Sequence, residues 1–289
     1  MARTREAWIA AHPYLAAAGE VARRFEAALR GIAVPPAPAP PWEAYAAEHR
    51  EGVPVLESAR AGVDLVPAGA MAAALVESLA GDPGPLAGDL DGLAAELRTT
   101  GDAPRRIAAF LRDGEGFDAQ APGLLRCLGW LSAARYLRPV RESYEAWRDE
   151  ESWLRPYCPL CGSRPAMAQL SGSDPGRKRR LVCGGCDTRW QFRRTQCPFC
   201  EHDSQKLSSV AIQGEGGLRI DWCESCRGYL KTYDGEGEED VLLADWTSLH
   251  VDLVARERGL ERMASSLYAL DDPTRSADGT AREETIGAP

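Results

Sequence analysis

Four cysteine pairs of the form Cys-x-x-Cys dominate the second half of this 289-residue chain. They read CPLC at 158–161, CGGC at 183–186, CPFC at 197–200 and CESC at 223–226. Two residues between the cysteines let both thiolates of one turn point at a single metal ion, and two such turns complete a tetrahedral site. The same pair can instead be a redox-active dithiol. The spacing and the surrounding sequence must decide between metal-binding half-sites and oxidoreductase chemistry.

The cysteine pairs are arranged as a duplication. In the first unit 21 residues separate the two pairs, and in the second unit 22 residues do so. Both separations are slightly longer than the spacing of common zinc sites built from two Cys-x-x-Cys pairs. An aromatic residue follows each closing pair, and Trp190 and Trp222, which flank the pairs, are expected to shield the sites from water. The repeat therefore predicts two four-thiolate metal sites, one in each unit.

The residue after the second cysteine of such a turn often has a positive φ, which glycine and some short polar residues tolerate. Gly162 and Asp187 suit this position in the first unit. Glu201 and Arg227 suit it less well in the second unit. We therefore expect the first site to be the more regular of the two.

The CPFC pair taken alone resembles a glutaredoxin active site. A dithiol of that type needs its first cysteine at the start of a helix, where the helix dipole lowers the thiol pKa. The residues after this pair, EHDSQKLSSVAI, form a polar turn and then a strand-like run. This context favours a metal half-site and leaves thiol oxidoreductase as an alternative function. Zinc and iron both accept four thiolates, and base rates alone favour zinc.

Composition places the chain among ordinary water-soluble proteins. The net charge is −9, and 44% of the residues are hydrophobic, without an apolar run long enough to cross a membrane. The N-terminal residues lack the apolar core of a signal peptide, so we expect a cytoplasmic protein with reduced thiols. The acidic balance argues against nucleic acid as the main partner.

The fold class expected is α+β. Ala, Leu, Arg and Glu, which favour helices, fill residues 1–153 and predict a helical N-terminal domain. Cys127, inside an apolar helical segment, is expected to be a small buried residue. The helices predicted in the N-terminal domain cover 42–50, about 68–80, about 85–99, 103–113 and two stretches between 122 and 152.

Short strand-like segments replace the helical pattern after residue 153. They predict a first metal unit at 154–195 and a second at 196–243. A C-terminal helix is expected at 244–270, because apolar residues recur there at helical spacing. The polar tail at 271–289 is expected to be disordered.

Charge differs between the two units. Residues 155–196 carry a net charge of +7, whereas residues 197–240 carry −6. One interpretation is that the two units attract each other. A second is that the basic run binds an acidic surface of a client protein, because adjacent cations repel one another unless something neutralises them. The residues of this run are Arg177, Lys178, Arg179 and Arg180.

A helical half followed by two four-cysteine units resembles the formate dehydrogenase accessory proteins of the FdhE type. The segments that carry the resemblance are RPYCPLCGSRPAMAQL at 155–170, RRLVCGGCDTRWQFRRTQCPFC at 179–200 and WCESCRGYLKTYD at 222–234. It implies a cytoplasmic, non-enzymatic maturation factor that binds the molybdenum-containing catalytic subunit of a respiratory formate dehydrogenase before twin-arginine export. It also implies rubredoxin-like units and iron, which reverses the preference for zinc.

The resemblance assigns the metal ligands and the cofactors, namely two metal ions per chain with iron favoured and zinc possible. No membrane span and no nucleic-acid partner are expected, and the chain should be a monomer or a weak dimer. A zinc-ribbon module that binds nucleic acid or other proteins is the competing class. The implied ligands are Cys158, Cys161, Cys183 and Cys186 for one ion, and Cys197, Cys200, Cys223 and Cys226 for the other.

Overall fold

The structure is a computed structural model that describes residues 6, 9–10, 12–114, 117–172, 176–212, 217–234, 245, 247–264 and 266–268. The tail predicted at 271–289 lies outside the described residues. Within them, helices make up the N-terminal part and a sheet follows. The N-terminal helices are α1 (Ala16–Gly31), α2 (Trp42–Glu51), α3 (Val66–Leu79), α4 (Ala87–Thr99), α5 (Ala103–Asp113) and α6 (Pro122–Trp147).

Helix α3 lies at the centre of the helical part. Its sequence, VPAGAMAAALVESL, is apolar around most of its circumference, which is typical of a helix buried on several sides. Met71, Leu75 and Val76 are almost fully buried. The helix packs chiefly against α5 and α6, and the small alanines between the larger side chains permit that close packing.

Helix α6 is a single helix of 26 residues, so the prediction of two helices between 122 and 152 is wrong. It continues through Pro139, which lacks the amide hydrogen needed for one helical hydrogen bond. Tyr136, Leu137, Val140 and Tyr144 on either side of the proline are all buried. Burial of these side chains offsets the missing hydrogen bond, because packing of an apolar face contributes most of the stability of a protein helix.

The sheet is built from both cysteine units. In the described residues each unit contributes three antiparallel strands, and the strand order is β3-β2-β1-β6-β5-β4. The two units meet at β1 and β6, which run parallel with Met167 opposite Lys231 and Leu170 opposite Asp234. The strands are β1 (Pro165–Ser171), β2 (Lys178–Cys183), β3 (Arg189–Phe192), β4 (Leu207–Ala211), β5 (Leu218–Cys223) and β6 (Gly228–Asp234).

A C-terminal helix, α7 (Leu249–Glu257), and a short strand, β7 (Glu261–Arg262), complete the described chain. The helix ends well before residue 270 because Gly259 adopts a positive φ of 66° and the chain turns back to the sheet. The amide of Glu261 then donates to the carbonyl of Arg227 at 2.9 Å, which pairs β7 with the start of β6. The expected α+β fold class is confirmed.

The main hydrophobic core crosses from the helices into the first cysteine unit. Leu160, Leu181 and Trp190 belong to the same buried cluster as the helical side chains. The second unit has a separate cluster, in which Ile220 and Val251 join the sheet to α7. The first unit is thus packed on the helices, and the second is packed mainly on the C-terminal helix.

Candidate metal centres

The first cysteine group comprises an opening turn at 158–161 and a closing turn at 183–186. The Sγ atom of Cys158 lies 3.4 Å from that of Cys186, and the Sγ atom of Cys161 lies 3.4 Å from that of Cys183. These contacts are much longer than the S–S bond of a disulfide, about 2.05 Å. The structure therefore brings together four free thiols from two turns that are separated by two strands and the loop between them.

The second cysteine group has the same arrangement, with turns at 197–200 and 223–226. The Sγ atoms of Cys197 and Cys226 are 3.8 Å apart, and those of Cys200 and Cys223 are 3.6 Å apart. Four sulfurs placed at about 2.3 Å around a tetrahedral metal are separated by about 3.8 Å. The size of both groups therefore fits one tetrahedral thiolate-bound ion each.

Burial of the sulfurs supports the same conclusion. Burial raises the pKa of the Cys158 and Cys186 thiols, because a thiolate loses its hydration in a buried site. Four thiols in contact can all ionise only if a cation balances their charge. A soft cation such as zinc or iron would provide that charge and bind the thiolates directly.

The backbone of the turns is regular in both groups. The residue after the second cysteine has a positive φ in every turn, with 77° at Gly162, 59° at Asp187, 58° at Glu201 and 60° at Arg227. The expectation that the second site would be less regular is therefore wrong for the backbone. Hydrogen bonding explains the result, because the amides of Glu201 and Arg227 donate to the carbonyl of the first cysteine of their own turn at 3.0 and 2.9 Å.

Backbone amides also donate to the sulfur atoms. The amides of Gly185 and Cys186 both lie 3.4 Å from the Sγ atom of Cys183. In the second group the amide of Phe199 lies 3.4 Å from the Sγ atom of Cys197. Such hydrogen bonds stabilise a thiolate relative to a thiol, and they hold each ligand in a fixed orientation.

The helical part forms the wall of the first group. The amides of Val55 and Leu56 donate at 2.9 Å to the carbonyls of Pro159 and Leu160, inside the opening turn. Arg141 of α6 contacts Asp187, directly after the closing turn. These residues precede the turns that they contact by up to about a hundred positions in the sequence. Nothing in the cysteine pattern points to them. Sequence reasoning therefore missed them.

Trp190 and Trp222 differ in how well they cover the sites. Trp190 is fully buried, and its indole nitrogen donates to the carbonyl of Arg155 at 2.9 Å. Trp222 is only half-buried beside the second group. The expected shielding by tryptophan is thus stronger around the first group.

The CPFC pair does not begin a helix in the described residues. A three-residue 3-10 turn at Ser204–Lys206 and strand β4 follow it. Each sulfur of the pair lies within 3.8 Å of a cysteine from the closing turn. The arrangement lacks the helix dipole that activates glutaredoxin-type dithiols, and it favours the metal half-site.

The basic run has intramolecular partners. Arg179 is buried, and its guanidinium donates to the carbonyl of Gln196 at 2.5 Å and stacks on Phe192. Arg177 donates to Asp234 at 2.9 Å, which links the basic unit to the acidic one. The attraction between the two units thus has a direct contact. Because partners within the chain neutralise these cations, their mutual repulsion does not require a client protein. A client-binding surface at the run stays a prediction.

Lys178 and Arg180 are the more accessible cations of this run. Arg180 lies 2.6 Å from Glu150, and Lys178 lies 3.7 Å from Glu151. About half of the Lys178 side chain and about a third of the Arg180 side chain are exposed to solvent, at 51% and 36%. Three of the four residues lie in strand β2, so the run is not a free loop.

Cys127 is buried among the helices, as expected from its apolar segment. It belongs to the main hydrophobic core and to neither cysteine group. Burial raises the pKa of this thiol to about 12, so it stays protonated at neutral pH. No helix in the described part of the chain is long and apolar enough to cross a membrane.

The curated relatives and a solved structure point to one family, although no protein-family model matches the chain. An FdhE homolog of Pseudomonas aeruginosa is 30% identical over 202 residues, which cover 65% of this chain and 63% of the relative. Protein FdhE of an Escherichia coli O1:K1 strain is 32% identical over 118 residues, covering 40% of this chain and 38% of the relative. The chain therefore spans less than two thirds of these curated relatives.

The structural match is more extensive. The crystal structure of the FdhE protein from Pseudomonas aeruginosa covers 90% of this chain and is itself covered to 91%, with a TM-score of 0.61 and 25% sequence identity. The fold and the two cysteine groups define a helical protein that carries two rubredoxin-like units in one sheet. The chain is similar to FdhE-type proteins in sequence and in fold.

Proposed function

We propose that this chain is a non-catalytic accessory factor for a respiratory formate dehydrogenase. It binds the catalytic subunit in the cytoplasm before export and supports assembly of the active enzyme. The observation that carries this proposal is the match to an FdhE crystal structure over 90% of the chain, together with two complete four-cysteine groups. Co-purification of the tagged chain with the catalytic subunit tests it, and repeated recovery of the chain without that subunit would overturn it.

The eight cysteines of the two groups are the proposed metal ligands, with one iron ion in each group. The all-thiolate donor set and the tetrahedral size of the groups support a single soft ion, and zinc satisfies the same requirements. Bound iron would supply a one-electron couple, whereas bound zinc would only hold the turns together. The protein supplies the amide hydrogen bonds to Cys183 and Cys197 that fix the ligand orientation.

Elemental analysis of protein purified without oxygen tests the metal assignment. Two irons per chain, with thiolate-to-iron absorption after oxidation, are expected. Two zincs per chain would support a purely structural role of the metal. Loading the apoprotein with each metal separately would exclude replacement of iron by zinc during expression. A metal-free protein with eight reactive thiols would overturn the assignment.

The client contact is proposed at the exposed part of the basic run. Lys178 and Arg180 are its accessible cations. Arg180 also lines a polar cleft of about 320 Å³, whose lining contains four arginines and three acidic residues. Complementary charges at the rim of an interface mainly increase the association rate and its dependence on salt. An acidic segment of the catalytic subunit fits this surface.

A double substitution, Lys178→Ser with Arg180→Ser, tests the contact without disturbing buried Arg179. We expect the affinity for the catalytic subunit to fall about tenfold at low salt and less at high salt. Arg98→Ser with Arg105→Ser, which removes two exposed cations from the helical part, is the matched control. Equal affinities of the two double variants would place the client contact elsewhere on the protein.

A further inference from the structure

We infer that the two four-cysteine sites have different roles. The first is a closed centre that joins the helices to the sheet, and the second is an open centre that exchanges its metal ion with an acceptor in solution. This inference rests on the proposal that both groups bind metal, but not on the identity of the client. It is carried by how differently the rest of the chain surrounds the two groups.

The closing turns show the difference in their sequences. The first is CGGC, and a methyl group added to Gly184 or Gly185 would lie 2.8 Å from Ala166 or 2.9 Å from the Trp130 indole. Such distances are shorter than normal contacts, so only glycine allows the core to approach this closely. The second closing turn is CESC, and Glu224 and Ser225 are both exposed. Packing thus covers the first closing turn and leaves the second open.

The opening turns differ in the same direction. Pro159 and Leu160 of the first turn are buried, and their carbonyls accept hydrogen bonds from the helical part. In the second turn Pro198 is buried like Pro159, but Phe199, at the position of Leu160, is only half-buried. Opening the first site therefore requires the hydrogen bonds between the helical part and the opening turn to break. Among the described residues, no backbone hydrogen bond links the helical part to the second opening turn.

The thiols themselves follow this pattern. Cys161 alone is half-buried in the first group, whereas Cys200 and Cys226 are half-buried in the second. The second group therefore presents one accessible thiol from each of its turns. A groove of about 150 Å³ also reaches Cys197 and Cys223 from the side of Trp222. A small chelating acceptor can approach this group from two directions.

The closing turn of the second site contacts strand β4 and the C-terminal segment, and the amide of Glu224 donates to the carbonyl of Lys206 at 2.8 Å. Arg227 donates to the carbonyl of Arg258 at 2.6 Å, and Gly228 lies against Met263 and Phe199. These contacts hold the closing turn to the C-terminal segment and leave the sulfur of Cys226 half-buried. They fix the fold of the turn without closing the metal position.

Exchange at the second site is a ligand substitution. Four metal–sulfur bonds break, bonds from the metal to a nitrogen- or thiolate-containing acceptor form, and no electron is transferred. The released thiolates take up protons from the solvent. The acceptor binds the metal ion on the side of the accessible sulfurs, which leave first, so the rate of exchange depends on exposure and on the freedom of the turns to open.

Release of zinc from the full chain tests the inference. The protein is loaded with zinc, and its transfer to the chelator 4-(2-pyridylazo)resorcinol is followed by absorbance. We expect two phases of one equivalent each, with the fast phase at least about tenfold faster, in keeping with the size of outer-shell effects on metal sites. A single phase of two equivalents would overturn the inference.

Alkylation identifies which site releases its metal first. Iodoacetamide is added at the end of the fast phase, and mass spectrometry locates the label. The expected labels are on Cys197, Cys200, Cys223 and Cys226. Labels on the first group at this stage would overturn the inference, and this measurement needs no variant that could fail to fold.

Matched variants extend the test. Cys197→Ser and Cys158→Ser each remove the buried first cysteine of an opening turn. The first variant should lose the fast phase and keep the slow one, and the second should lose the slow phase together with much of the thermal stability. Two-phase release from a chain that does not bind formate dehydrogenase would overturn only the proposed function. Single-phase release from a chain that does bind it would overturn only this inference.

Discussion

The Nη1 atom of Arg141 lies 2.7 Å from the Oδ2 atom of Asp187, the residue directly after the last cysteine of the first group. The same guanidinium lies 3.2 Å from the Asp187 carbonyl. Asp187 has a positive φ, so its side chain and carbonyl must both be placed for the turn to close. One arginine of the long helix α6 thereby fixes the end of a cysteine turn.

Replacement of Arg141 by alanine is expected to destabilise the metal-loaded protein by about 1.5–3 kcal/mol, the range for hydrogen bonds to charged groups. Urea unfolding followed by tryptophan fluorescence measures this. Arg138→Ala is the control, because Arg138 lies on the same helix with 66% of its side chain exposed and only a 3.9 Å contact to Glu142. Equal unfolding midpoints for the two variants would contradict a role for Arg141 in holding the turn.

Gly185→Ala is expected to cost about 1–3 kcal/mol, because the added methyl group would overlap the Trp130 indole in a packed core. The slow phase of zinc release should also become faster, since the turn is pushed away from its wall. Gly88→Ala is the matched control. Nothing lies within 4 Å of a methyl group there, and Gly88 is in a helix, where alanine stabilises by about 1 kcal/mol. Equal stabilities of the two variants would exclude a packing role for Gly185.

The cysteine spacing predicted the composition of both groups, because a Cys-x-x-Cys turn is a local structure with few alternatives. Helical periodicity likewise predicted the N-terminal part. The parallel pairing of β1 with β6 could not be predicted in this way, since it joins Met167 to Lys231 across two complete units. The sequence contains no local signal for a contact at that separation.

Two smaller failures have physical causes. Two helices were expected between 122 and 152, but one helix continues through Pro139, because burial of the residues around it outweighs one lost hydrogen bond. Glu201 and Arg227 were expected to disfavour positive φ, but each gains a backbone hydrogen bond in that conformation. In both cases a local preference of about 1–3 kcal/mol was overridden by the surrounding structure.

The basic run contains a buried cation, Arg179, and accessible cations such as Lys178. Burial lowers the pKa of Arg179 to about 10, so it remains charged at neutral pH and needs its carbonyl partners. Arg179→Ser is therefore expected to cost about 3 kcal/mol or more, because it leaves buried carbonyls unsatisfied and removes the stack on Phe192. Lys178→Ser, at an exposed position, should change stability by less than about 0.5 kcal/mol. Thermal unfolding of the two variants checks the contrast, and similar losses would contradict it.

A buried ion network joins α7 to the sheet. Lys231, which is 1% exposed, lies 2.9 Å from Asp245 and 2.8 Å from Asp252. Arg262 contacts the same two carboxylates at 2.6 and 2.8 Å. Burial alone would raise the pKa of Asp245, but Arg262 and Lys231 hold it well below its usual range. Since a depressed carboxyl pKa stabilises the fold above the unfolded pKa of about 3.9, this contribution is present at neutral pH and is lost on strong acidification.

Lys231→Met is expected to destabilise the protein by about 3–5 kcal/mol at pH 7, because two buried carboxylates would share only one cation. Lowering the pH toward 4 should reduce the difference between variant and wild type, since protonation of one carboxyl relieves the excess negative charge. Urea unfolding at both pH values measures this. Lys206→Met, at an exposed lysine just before β4, is the control and should have little effect at either pH. A Lys231 variant as stable as this control at pH 7 would show that the network does not hold α7 to the sheet.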